Sequence, residues 1–254
     1  MRQAINGFGA SLVLMASVGF AGTAFAEEVV AIPQSPALEI QSTQVQYIED
    51  LELLVFEQQL GAEVEAVLPE PAGQMDGAPV LGYVFPTTLD VADVGFDGTE
   101  GIVALAITSH PDFDDTPLWD EDNDADYAND GVIWHPHWVV LQGDERVAGG
   151  LSVAEFSADD AVVLPPTNPG MPMFMDSPGF SVVEDGNTLR VLVPAQRVNH
   201  NIDFKFDAVA AYMEVNTSDE NRPTLGVYEV YSIGSGDLSL PYKVQTPCDC
   251  EKYE

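Results

Sequence analysis

The sequence predicts an all-β protein: a single antiparallel β-sandwich-like domain behind a cleaved signal peptide. Three observations lead there. Short runs rich in Val, Ile, Tyr and Phe recur along the chain, each bounded by Gly, Pro, Asp or Asn. No helical apolar period separates them as an alternating α/β arrangement would require. The chain has 254 residues, and the roughly 200 that remain after a leader and a linker suit one sandwich or barrel core.

Taken in order, Arg2, the apolar run Ala10 to Phe20 and the small-residue ending Ala24-Phe25-Ala26 make residues 1–26 a secretory signal peptide. The apolar run is shorter than the ~20 residues a membrane span needs. Residues 27–44, with Pro33, Pro36 and little periodicity, read as a linker. The domain then occupies residues 45–246. Within it, Gln44 to Leu60 fits a helix capped by Ser42 or Thr43 and ended by Gly61, but alternation of Leu51, Leu53 and Val55 favours strand. Val64 and Val67 continue in β-like fashion. The expected strands are Leu51 to Glu57, Val80 to Phe85, Ile102 to Thr108, Val132 to Leu141, Leu151 to Phe156, Phe180 to Val183, Thr188 to Val193, Phe204 to Val215 and Gly226 to Ser232. Asp185-Gly186 supplies the positive φ of a tight hairpin between two of them. No fixed-period repeat points to a propeller or solenoid. Residues 247–254 form a tail holding both cysteines, Cys248 and Cys250. A disulfide across one residue is strained, so intermolecular pairing, redox lability and a dithiolate metal clip stay open.

Charge narrows the partners. Eight Lys and Arg face 42 Asp and Glu, and loss of Arg2 with the leader takes the formal charge from −34 to −35. Such a surface repels nucleic acid phosphate and anionic lipid, so neither is an expected partner. It also calls for counter-ions, so salty or calcium-rich surroundings fit best and metal ions are the expected partners, while the signal peptide makes the periplasm or the medium the expected location. With 46% hydrophobic residues the chain nonetheless folds.

The chemistry concentrates between Ser109 and Leu141, which holds three of the four histidines, all three tryptophans and the densest run of acids. Asp120, Asp122, Asp124 and Asp126 alternate, with Asp112, Asp114 and Asp115 before them and Asp130 after. Alternating carboxylates in a curling loop suit a hard cation such as calcium, which takes six to eight oxygen ligands. The spacing follows the front half of an EF-hand loop, then departs from it: Ala125 stands where the turn glycine belongs and Gly131 where the closing glutamate belongs. A looser calcium loop is the expectation, set against a merely solvated acidic loop.

In Trp134-His135-Pro136-His137-Trp138, strand geometry puts both imidazoles on one face. They can share a zinc or copper ion if a third ligand arrives from a neighbouring strand. His110 is the natural third, ending the preceding strand; His200 is a weaker one. Asp112 or Asp114 could complete the coordination. Met171, Met173 and Met175 alternate as soft ligands for copper would, and equally as core filling. Nothing in the sequence matches a nucleophile elbow, a phosphate loop or a dinucleotide fingerprint.

The stretches TSHPDFDDTPL (Thr108 to Leu118) and WHPHWVVL (Trp134 to Leu141), with the acidic loop between them, resemble a family of exported bacterial proteins over residues 45 to 245. That resemblance implies export and carries no activity. The His-x-His-Trp element is also similar to the zinc strand of α-class carbonic anhydrases, a likeness of metal-site geometry over a few residues. The leading expectation is an exported acidic metal-binding protein with calcium in the loop and zinc or copper at the histidines. Its rivals are a zinc enzyme using a water bound to His110, His135 and His137, and an acidic interaction module without catalysis.

Overall fold

The computed structural model describes residues 31–116, 118–127 and 129–246; the expected signal peptide and the Cys248/Cys250 tail lie outside them. Among the described residues the chain is all-β, with helical structure confined to 3-10 turns of three or four residues. The strands are β1 (Ile40–Ile48), β2 (Leu53–Leu60), β3 (Pro79–Pro86), β4 (Ile102–Ser109), β5 (His135–Gly143), β6 (Leu151–Val153), β7 (Met175–Asp176), β8 (Ser181–Asp185), β9 (Thr188–Pro194), β10 (Lys205–Phe206), β11 (Val209–Val215), β12 (Leu225–Ile233) and β13 (Tyr242–Lys243). All of their pairings are antiparallel.

The architecture is not a simple sandwich. Six strands close into a barrel in the order β3-β4-β5-β6-β12-β11, with β11 returning to β3 and β7 lying beside β5. A separate four-stranded sheet, β1-β2-β9-β8, covers one side of it. Side-chain alternation explains both layers. On β3, Val80 and Val84 point into the barrel, while Leu81, Tyr83 and Phe85 point out against the sheet. Likewise Ala104 and Ala106 face in, and Val103, Leu105 and Ile107 face out. Phe56 of β2 joins the layers, its ring 5.2 Å from Phe85 and 6.1 Å from Trp138 in edge-on contacts. Small residues let the barrel close tightly: a Cβ at Gly82 would lie 2.6 Å from Met213 Cε.

Several expected boundaries move. The linker read as far as residue 44 ends sooner, because β1 begins at Ile40. β1 is an edge strand with mostly exposed Gln, Ser and Thr, so its apolar alternation is faint. A 3-10 turn at Glu49–Leu51 separates it from β2, which runs on to Leu60, and Glu52 takes the left-handed conformation at φ 49°. Val64–Ala66 is a 3-10 turn and not strand. The run Phe204 to Val215 breaks at Asp207, a fully buried carboxylate that accepts from the backbone N–H groups of Ala208, Ser235 and Leu240 and so pins a corner. The Asp185-Gly186 hairpin stands as read, joining β8 and β9 with Gly186 at φ 61°.

Candidate metal centre

β4 ends at Ser109 and His110 follows it; β5 opens on His135, with His137 two residues along on the same face. In the β4–β5 register Thr108 lies opposite His135 and Ala106 opposite His137, so His110 sits over the start of β5. The intervening loop folds back at once. Phe113 stacks on the His110 ring at 4.0 Å, and Asp114 Oδ1 accepts from Thr116 N at 2.6 Å and Thr116 Oγ1 at 2.9 Å. That turn brings Asp115 to the histidines. The far end of the loop is held by His110 N, which donates to Gly131 O at 2.6 Å. Only glycine fits there, since a Cβ would lie 2.1 Å from Phe113 O and 2.2 Å from His110 O.

The result is a buried cluster of His110, Asp115, His135 and His137, at most 6% exposed, that could hold a metal ion. Asp115 Oδ1 lies 3.4 Å from His110 Nε2, 3.2 Å from His135 Nε2 and 3.4 Å from His137 Nε2. Four donors about 2.0 to 2.1 Å from a tetrahedral zinc lie about 3.3 Å from one another. The His110 and His135 Nε2 atoms are closer, at 2.8 Å.

The outer nitrogens settle which face each ring presents. His110 Nδ1 donates to Phe113 O at 2.9 Å and His135 Nδ1 to Ile133 O at 2.5 Å, because a carbonyl can only accept. Ser177 Oγ gives its one hydrogen to Asp115 O at 2.8 Å, so at 3.0 Å it accepts from His137 Nδ1. In their neutral form all three rings therefore turn Nε2 lone pairs inward, the arrangement outer-shell partners impose on metal-ligating histidines. Asp115 Oδ1 and His137 Nε2 are buried with no hydrogen-bond partner. Lone pairs 2.8 Å apart repel unless a proton or cation lies between them.

The electrostatics agree with the geometry. Burial works to raise the Asp115 carboxyl, but the imidazoles of His137, His110 and His135 outweigh it and hold it well below the usual range. Burial also works to lower His135, and there the adjacent Asp115 carboxylate prevails and raises it. At His137 burial dominates and pulls the imidazole down to about 3, so it stays neutral and able to ligate.

The acidic loop assembles a smaller group, Asp120, Asp122 and Asp130. Asp130 is fully buried and accepts from Glu121 N at 3.3 Å and Asp122 N at 3.4 Å. Asp124 is outside the converging set: its oxygens accept from Asp126 N at 2.7 Å and Asn129 Nδ2 at 2.9 Å. Asp126 is also outside it. Ala125 adopts φ 71°, taking the left-handed conformation that an EF-hand assigns to glycine.

Of the carboxylates weighed as a fourth ligand, Asp112 instead accepts from Ala72 N and Gly73 N, and Asp114 caps Thr116. Asp115 and Ser177 were not singled out by the sequence. Both sit among many acids or serines with no distinguishing spacing. His200 is exposed in a turn at φ 56°. Met171, Met173 and Met175 line an apolar cavity of about 120 Å³ inside the barrel, and this cavity reaches His110, Asp115 and His137. No protein-family model, curated protein or solved structure matches the chain, so the chemistry of this centre rests on its own residues.

Proposed function

We propose that this is an exported metal-binding protein whose buried centre holds one zinc ion, or copper in its place, through His110, Asp115, His135 and His137. One observation carries the reading: three inward-facing Nε2 lone pairs and one carboxylate oxygen converge without solvent. Imidazole and carboxylate donors suit Zn²⁺ and Cu²⁺. Zinc titration into chelator-treated protein tests it, with one equivalent taken up by the wild type. Uptake unchanged in His137→Ala would make the cluster structural. We further propose calcium at Asp120, Asp122 and Asp130, supported by their converging oxygens. Export is part of the same proposal, supported by the leader-like residues 1–26 and the net acidity. The N-terminal sequence of secreted material tests it, and a mature start near Glu27 is the expected result.

One observation favours a zinc enzyme as the second reading. Glu121, its carboxyl pushed up by burial, lines an outer cleft of about 320 Å³ together with His135. Asp115 already stands in the fourth position, which weighs against a water held by the three histidines alone. Turnover of an activated ester by zinc-loaded protein, lost in Glu121→Gln, would favour the enzyme.

A further inference from the structure

The cavity inside the barrel ends on the metal cluster, and its walls are apolar. Val84, Ala106, Val139, Met175, Met213 and Val227 are among the side chains that line it, and among the described residues no Lys or Arg does. At one end stand His110, Asp115 and His137. A divalent ion held by one carboxylate and three neutral imidazoles carries a net single positive charge. In so apolar an enclosure that charge is costly without an anion beside it. Among the described residues the lining offers no other cation, so an anionic head group entering the cavity is met at the cluster.

We propose that the barrel binds a small apolar molecule bearing one carboxylate, its hydrocarbon part in the cavity and its head group on the metal as a fifth ligand beside Asp115. This rests on the zinc reading above. Size limits the occupant. The cavity measures about 120 Å³, whereas an apolar cavity of about 150 Å³ accommodates benzene. The hydrocarbon part is therefore no bulkier than one six-membered ring or a short branched chain. Methionines at the wall adapt their shape to such a guest. Because the cavity and the cluster share His110, Asp115 and His137, one ligand can touch both.

Calorimetry with benzoate as the probe tests this, using zinc-loaded and metal-free wild-type protein. Benzoate should bind the zinc-loaded form at least roughly tenfold more tightly than the metal-free form. It should also bind about a hundredfold more tightly than acetate, through burial of the ring. The bulkier 2-naphthoate should bind more weakly than benzoate. Ala211→Phe, which fills the cavity, should keep its zinc and lose benzoate. Should that variant fail to fold, the acetate, benzoate and naphthoate series on wild type carries the same test. Equal benzoate affinity with and without zinc, or acetate binding as tightly as benzoate, overturns the inference and leaves the metal reading standing. Failure to take up zinc at all overturns both.

Discussion

At the residue scale the centre depends on four donors acting together, so losing any one should remove most of the zinc binding. Asp115→Asn and alanine at His110, His135 or His137 are the variants, and zinc titration is the measurement. The pH dependence follows from His135. Its pKa is raised, chiefly by Asp115 acting against burial, so protons compete with zinc from above the ordinary value of about 6.5. Zinc affinity should therefore fall as pH drops through that range, while calcium held by carboxylates persists. His137 contributes little to the fall, since burial keeps it neutral to about 3. Ser177 acts one step out: it accepts from His137 and donates to the Asp115 carbonyl. Ser177→Ala should weaken zinc by roughly ten- to a hundredfold without unfolding the chain, as removing an outer-shell partner does.

At the scale of elements, the loop between β4 and β5 is closed by backbone contacts. Gly131→Ala should push the loop away from the carbonyls of His110 and Phe113, displace Asp115 and lower zinc affinity. Circular dichroism showing native strand content alongside lost zinc would place the damage in the loop. The segment after β5 carries a different device. Asp144 is buried and accepts from Arg146 N at 2.9 Å, from the Arg146 guanidinium and from Ser152 Oγ at 2.8 Å. Arg146 holds its carboxyl down to about 2. A depressed carboxyl contributes stability that is fully present above the unfolded value of about 3.9 and is lost as pH falls through about 2. Arg146 is partly exposed, so Asp144→Asn should cost only about 1 kcal/mol at neutral pH. In thermal melts the difference from wild type should shrink toward pH 2.

For the whole molecule, charge dominates. Arg146, Arg190, Arg197 and Arg222 all pair with carboxylates, which leaves most of the 42 acids facing one another or water. Sodium should stabilise the fold by screening alone. Calcium at matched ionic strength should do more if it occupies Asp120, Asp122 and Asp130, by about 2.7 kcal/mol at a hundredfold excess over Kd. Thermal melts in the two salts separate these effects, and equal shifts would remove calcium from the loop.

The sequence by itself determined the all-β class, the β8–β9 turn and the His135/His137 pair. Each depends on neighbours within a few residues: alternation reports a buried face, Asp-Gly permits a tight turn, and a spacing of two puts imidazoles on one side of a strand. Only the tertiary structure decided barrel against sandwich. Alternation says that a face is buried but not by what, and strands such as β3, covered on both faces, look alike in either architecture. Tertiary structure also chose Asp115 over Asp112 and Asp114, set Ser177 behind His137, and placed the apolar cavity against the cluster. Those choices depend on loop path and strand register between residues far apart in the chain, where the identity of one acid among many carries no local signal.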